Sequence, residues 1–185
     1  MKMLENLDVK QQITEQIIYE ICAGNFQEGQ EIRQEQIARE LGVSRIPVRE
    51  AFILLETMGY IRKLPNRRIE VIGFSEDRVR MEFALQSKIE YEILSSAAGL
   101  KVNPDSLRED ILDGCQVVSI SRIYDTLLKG SYQYVLQVLK NPAELKLYDE
   151  KVCEYYEKGE TESLLNTLET YYKLLYTKWK ECKKE

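Results

Sequence analysis

Leu41-Gly42-Val43-Ser44-Arg45-Ile46-Pro47-Val48-Arg49-Glu50-Ala51 is the stretch on which the reading of this chain turns. Gly42 takes a positive φ just past a helix end without a Cβ penalty. Ser44 suits the N-cap of the next helix. Pro47 falls in that helix's first turn, where backbone N–H groups have no intrahelical acceptor. Val48, Ala51, Phe52 and Leu55 recur at helical spacing and make one inward stripe. Arg45 and Arg49, four residues apart, share the opposite face. The pattern predicts a helix, a tight turn and a second helix that opens with two guanidiniums. Such groups match guanine edges or phosphates in a DNA major groove. Taken alone, the stretch fits a capped surface helix with two solvated arginines equally well.

The flanks extend the pattern. Ile13, Ile17, Ile18 and Ile21 predict a first helix over roughly 8–23, capped by Asp8 and ended by Ala23-Gly24-Asn25. A second helix runs from about Arg33 to Leu41 with Ile37, Ala38 and Leu41 inward. The third ends near Met58-Gly59. Tyr60, Ile61 and then Ile69, Val71 read as short strands around a Pro65-Asn66 turn, with Arg67 and Arg68 at its tip. Helix, helix, turn, helix, hairpin is the layout of a winged helix-turn-helix, assigned to residues 1–72.

Ile32, Ala38, Leu41-Gly42-Val43-Ser44-Arg45, Pro47-Val48-Arg49-Glu50-Ala51, Leu55-Glu56 and Gly59 together resemble the N-terminal domain of GntR-family bacterial transcription regulators over residues 10–72. The resemblance implies a domain that binds a palindromic double-stranded DNA operator as a homodimer. It puts Arg45 and Arg49 in the major groove and Ser44 and Pro47 at its edge. Two departures stand out. Glu35 occupies a place where the family often has arginine, leaving Arg33 or Arg39 as substitutes. Arg68 stands where the family favours a wing-tip glycine, so that Arg67 and Arg68 become candidates for a narrow minor groove or for phosphates. The DNA-facing set is then Arg33, Ser44, Arg45, Pro47, Arg49, Arg67 and Arg68.

Gly73-Phe74-Ser75 marks a boundary, and residues 75–185 read as an all-helical domain of five or six helices for effector sensing and dimerisation. Ser75 caps a helix running to Gly99, with Val79, Phe83, Ile89, Ile93 and Ala97 inward. Asn103-Pro104 opens another, with Leu107, Ile111, Leu112, Cys115 and Val118 inward. Ile123 and Leu127 lie in a segment broken by Gly130, and Ser131–Lys140 follows. Asn141-Pro142-Ala143-Glu144 reads as N-cap, N1 proline and N3 glutamate of a helix ending at Lys158-Gly159. A last helix spans about Thr161 to Cys182. Its Leu165, Leu168, Tyr172, Leu175 and Trp179 stripe is a core face or, from its near-heptad spacing, a dimer seam. Helix placement and Ile89-Glu90 resemble the FadR-type branch of the family.

Many FadR-type domains hold a metal through an aspartate and histidines, but this chain has no histidine. Asp125 lies near the aspartate's place without those partners, and Gln86 stands where the branch commonly has arginine. The expectation is no metal and no cofactor, with any small-molecule effector bound independently of metal. Ten of twelve tyrosines follow residue 75, as pocket-lining hydroxyls or as amphipathic filler between helices. Gln86, Tyr91, Tyr124, Tyr134 and Tyr172 are the candidate ligand contacts. The carboxylates read as spread along solvated helix faces, and no cysteine has a base partner, so no catalytic set stands out.

Charge limits the mode of DNA binding. The chain nets −5, and residues 1–72 carry ten Lys and Arg against eleven Asp and Glu. A bulk electrostatic grip is excluded, and binding must come from a local cluster, which Arg45, Arg49, Arg62, Lys63, Arg67 and Arg68 provide. The four dispersed cysteines predict free, mostly buried thiols. No apolar run reaches membrane-spanning length and the N-terminus lacks a signal pattern, which predicts a cytoplasmic protein. The chain reads as mostly α and as an effector-responsive repressor. The alternative is a protein-interaction module whose winged helix does not read DNA specifically.

Overall fold

The computed structural model describes residues 9–140 and 143–183. The Asp8 cap and the Asn141-Pro142 helix start lie outside the described residues. The chain divides into two compact units, Met1–Ser75 and Glu76–Glu185.

The first unit runs α1 (Val9–Cys22), β1 (Glu31–Ile32), α2 (Gln34–Leu41), α3 (Arg45–Thr57), β2 (Ile61–Lys63) and β3 (Ile69–Val71). Both α1 and α2 pack on α3. Ile13, Ile17, Ile18 and Ile21 of α1 meet Val48, Ala51, Phe52 and Leu55 of α3, all buried, and Ile37 and Ala38 close the third side. Each Ile, Val, Leu or Phe side chain among them contributes about 1.5–3 kcal/mol on leaving water. Leu41 departs from expectation. It is 41% exposed rather than inward, because α2 ends at that residue and the chain turns away.

That turn is a Schellman arrangement. Gly42, at φ +66°, donates its N–H to the Arg39 carbonyl at 3.3 Å, and Val43 donates to Ala38 at 3.0 Å. Gly59, at φ +75°, ends α3 in the same way and sends Tyr60 into the core against Phe74, with ring centroids 5.4 Å apart. The sheet is antiparallel in the order β1-β3-β2. β1, only two residues long, is too short for an alternation signal and was not expected from the sequence.

The second unit comprises α4 (Glu76–Ser96), α5 (Leu107–Gly114), α6 (Val118–Leu127), α7 (Gln133–Val138), α8 (Ala143–Lys158) and α9 (Thr161–Cys182). α4 and α8 pack on α9. Several expected elements are shorter. α4 stops at Ser96, before Ala97, and the Asn103-Pro104 segment turns before α5 begins. Cys115–Val117 separates α5 from α6, and Val118 is exposed rather than inward. Ile123 is exposed as well. Gly130, with φ −88° and ψ −127°, kinks the chain between α6 and α7. Of the two readings of the α9 stripe, the structure shows the core face and not a seam: Leu168, Tyr172, Leu175 and Trp179 are buried within the unit and Leu165 is half-buried. No helix among the described residues is long and apolar enough to cross a membrane.

The Gly42 turn gives a test of its own. A Cβ added there would meet nothing within 4 Å, so only the left-handed backbone opposes a side chain. Gly42→Ala is expected to cost about 1–2 kcal/mol in urea unfolding. An unchanged midpoint and slope would mean that the turn relaxes out of the left-handed region.

Candidate nucleic-acid interface and a buried polar cluster

α3 buries Val48, Ala51, Phe52 and Leu55 and exposes Arg45, Ile46, Arg49 and Ile53. Ser44 precedes it with extended backbone but makes no side-chain cap bond, contrary to the expected capping role. The first-turn N–H groups therefore carry the helix's partial positive charge beside Arg45. Pro47, the third helical residue, is half-buried. Arg49 forms no ion pair among the described residues, whereas Arg45 pairs through Nη2 with Glu35 of α2. Both members of that pair stay largely in water, at 66% and 56% exposure. Such a pair contributes about 0–1 kcal/mol and opens readily.

The hairpin tip is set by local hydrogen bonds. Leu64 N–H reaches the Arg68 carbonyl at 2.8 Å, Arg67 N–H reaches the Leu64 carbonyl at 2.9 Å, and the Asn66 side chain accepts from Arg68 N–H at 3.0 Å. The left-handed residue is Arg67, at φ +64°, and not Arg68. The position that would welcome glycine is thus one residue earlier than the sequence suggested. In the sheet, Glu31 stands opposite Glu70, which repels unless cations intervene. Arg62 pairs with Glu70. Arg33 Nε lies 2.9 Å and Arg68 Nη1 3.5 Å from Glu31.

Between α3 and the hairpin lies a groove of about 520 Å³. Arg33, Arg49, Lys63, Arg67 and Arg68 line it together with Glu31, Glu35 and Glu56. Four of the sequence-predicted DNA residues thus share one concavity. Arg45 joins its rim through Glu35, while Ser44 and Pro47 lie at the start of α3 outside the lining. Arg39 is exposed on the last turn of α2 and does not line the groove. Lys63, part of the basic cluster that the sequence offers, joins those four, whereas Glu31 and Glu56 were missed. Only the pairing register of β1, β2 and β3 brings Glu31 and Lys63 near α3, and no short-range pattern encodes it.

The second unit holds a different arrangement. Gln86, Ser87 and Glu90 sit on the buried stripe of α4 between Phe83 and Ile93. Glu90 is fully buried, which corrects the reading of every carboxylate as solvated. Its Oε1 accepts from Tyr124 Oη at 2.7 Å, from Tyr172 Oη, and weakly from Gln86 Nε2 at 3.5 Å. Arg108 of α5 approaches the same oxygen at 3.5 Å through Nε and pairs through Nη1 with Asp149. The Arg108 guanidinium lies over the Tyr171 ring, 4.3 Å from its centroid, and the Tyr132 and Tyr171 hydroxyls are 2.8 Å apart. Gln86 Oε1, Glu90 Oε2, Arg108 Nε and Arg108 Nη2 have no hydrogen-bond partner. Of the candidate ligand residues, Gln86, Tyr124 and Tyr172 converge on Glu90. Tyr91 packs half-buried against the Ile93 and Leu168 cluster, and Tyr134 is buried on α7.

Burial drives the protonation states here. It pushes the Tyr124, Tyr171 and Tyr172 phenols well above their ordinary pKa of 10.0, with the Glu90 charge adding to the rise at Tyr124 and Tyr172. Burial raises Tyr132 too, against the opposing pull of Arg108. Burial disfavours the Arg108 cation, but Tyr132, Tyr171 and Glu90 outweigh it and its pKa goes up. Burial likewise raises Asp149, which Arg108 counters. All four cysteines are free, and burial lifts Cys153 to about 11, which makes it an inert thiol.

The residues do not fit the metal that a FadR-type domain brings to mind. Asp125 pairs with Lys129 one turn along α6, and no group of three or more Cys, Asp or Glu with ligand geometry occurs among the described residues. At the heart of the bundle the Glu90 and Asp149 carboxylates are instead paired with the Arg108 guanidinium.

The four phenols give this unit an alkaline limit. Their folded pKa values lie above the unfolded 10.0, so the folded state keeps protons that the unfolded state releases. Stability is whole below pH 10.0 and falls as pH rises through and beyond it, by up to about 1.4 kcal/mol per pH unit for each phenol. Tyrosinate absorbance at 295 nm should report these four only as helical circular dichroism collapses. Ionisation of all ten C-terminal-unit tyrosines near pH 10 with the helices intact would contradict this burial.

Residues 9–71 match the family model for bacterial regulatory proteins of the gntR family. Among solved structures, Escherichia coli McbR/YncC superposes with a TM-score of 0.58 at 15% identity, covering 94% of this chain and 99% of that one. Lar, described as controlling the expression of the Listeria monocytogenes agr system, gives 0.57 at 16% identity over 98% of both chains. A candidate GntR transcriptional regulator from Rhodococcus sp. RHA1 gives 0.56 at 16%, over 92% and 96%. At such identities these likenesses speak for the fold. No curated protein matches the chain in sequence. Residues 9–71 thus form a winged helix-turn-helix domain of the gntR family of bacterial regulatory proteins, and an all-helical unit follows it, as in these GntR-like folds.

Proposed function

We propose that the protein is a cytoplasmic repressor that binds a palindromic double-stranded DNA operator as a homodimer. One observation carries this reading: α3 presents Arg45 and Arg49 on its exposed face, beside a groove whose far wall is the Arg67-Arg68 hairpin tip. A helix of this width enters a major groove, and an arginine at its start reaches guanine O6 and N7 with two hydrogen bonds. In this reading Arg49 and Arg45 read bases, and Ser44 and Pro47 sit at the groove edge with the open N–H groups of the first turn. Arg33, Arg67 and Arg68 contact the phosphate backbone or a narrow minor groove.

The helical unit receives the effector in this scheme. The partnerless atoms on Gln86, Glu90 and Arg108 support a place for it, since each such buried group costs about 1–3 kcal/mol until something completes it. Tyr124 and Tyr172 border that place, with Tyr91 and Tyr134 as outer candidates. A bound molecule shifts operator affinity only as far as it binds the DNA-bound and free geometries differently. The effector acts without a metal, and no catalytic step is assigned.

Selection of bound duplexes from a random DNA pool, followed by titration of variants, tests the reading. Arg49→Ala should weaken the selected duplex by about 1–3 kcal/mol, or roughly 5- to 150-fold, and relax preference at one base pair. Unchanged affinity and unchanged preference in this variant would remove α3 as the reading element.

A further inference from the structure

We infer that Glu35 is a specificity-determining residue of the DNA face: by holding Arg45 in an exposed ion pair, it keeps that guanidinium from serving as a general phosphate clamp and reserves it for base edges. The inference rests on the DNA-reading role proposed for α3 and goes further, to how a nearly neutral domain discriminates among sequences.

The placement is unusual for a surface that meets a polyanion. Three arginines from three different parts of the first unit meet carboxylates here. Arg45, the first residue of α3, pairs with Glu35 in the first turn of α2. Arg33, just before α2, and Arg68, on the hairpin, both meet Glu31. Glu31 and Glu35 line the same groove as Arg49 and Arg67, which make no ion pair among the described residues. Glu31 also has an architectural duty, since it faces Glu70 across the sheet. Glu35 has no such duty. It is exposed, lies at a helix start where many polar residues would serve, and has Arg45 as its ion-pair partner.

The consequence follows from charge. A phosphate that approaches Arg45 must come close to the Glu35 carboxylate, and the two anions repel. A guanine edge offers O6 and N7 without net charge, so it escapes that repulsion. A guanidinium has five N–H donors in a rigid fork. The bond to Glu35 uses Nη2, leaving donors on the remaining edge for a base. Sequence-independent affinity, which arises from phosphate neutralisation, is therefore reduced more than affinity for the cognate site. Residues 1–72, with ten basic and eleven acidic side chains, have no compensating excess of positive charge.

The test compares the full chain with Glu35→Gln and with Glu15→Gln, which removes the same charge from an exposed site on α1 outside the groove. Each is titrated against the duplex selected by the parent protein and against a random-sequence duplex of equal length, over about 50–200 mM salt. Thermal melts confirm that the variants fold. Glu35→Gln should raise affinity for the random duplex by about 3- to 10-fold and steepen its log–log salt slope by up to about 0.9, as one added phosphate contact does. Affinity for the selected duplex should rise less, so that discrimination falls. Equal gains on both duplexes, no gain on the random duplex, or an equal effect of Glu15→Gln would each overturn the inference while leaving DNA reading by α3 intact. A parent protein that prefers no duplex and ignores Arg49→Ala overturns the DNA-reading proposal itself, and the role of Glu35 with it.

Discussion

The left-handed backbone at Gly42 is the constraint on which the exposed face of α3, the proposed DNA-reading face, depends. It ends α2, supplies two hydrogen bonds to the Ala38 and Arg39 carbonyls, and starts α3 within three residues. α3 is then fixed by burial of Val48, Ala51, Phe52 and Leu55 against α1 and α2. With one face of α3 committed to the core, the other has no freedom left. Arg45 and Arg49 face solvent because their helical neighbours cannot. A strained or loosened turn would change the direction of both guanidiniums together.

The two units treat charge in opposite ways, and the dielectric explains why. On the first unit, arginine–carboxylate pairs stay in water, where they contribute about 0–1 kcal/mol and exchange partners easily. Such exposed pairs leave the remaining guanidinium donors facing water. In the second unit Glu90 and Arg108 are buried and Asp149 is half-buried; the Tyr124 and Tyr172 hydroxyls brace Glu90, and the Tyr171 ring covers Arg108. Removal of one partner from such a buried set typically costs about 3–5 kcal/mol, because the remaining charge is left without compensation. Those pairs are fixtures of the bundle.

Much of the first unit was legible because its signals are local. Val48, Ala51, Phe52 and Leu55 declare a helix by spacing, and Gly42 and Gly59 declare its neighbours by backbone permissiveness. The gntR-family match over 9–71 agrees with that reading. β1 was not legible, since two residues show no period, and with it went the Glu31–Arg68 contact. In the second unit, helix ends were overestimated where apolar residues such as Val118 and Ile123 continue the period yet remain exposed. The α9 stripe was visible, but spacing cannot tell a core from a seam. Glu90 and Arg108 were missed as a pair because they lie eighteen positions apart, on different helices. Sequence alone gave the glutamate no sign of burial beyond its place on the Val79, Phe83, Ile93 stripe.

Hydrogen–deuterium exchange of the full chain, with and without its selected duplex, most directly tests the claim that the start of α3 and the hairpin tip form the DNA-reading surface. The first-turn N–H groups after Ser44 lack a side-chain cap and should exchange fast in the free protein. The account predicts that DNA slows exchange over residues 44–50 and 64–69 and leaves the opposite face of α1 unchanged. Protection confined to other segments, with residues 44–50 exchanging as fast in the complex as in the free protein, would contradict it.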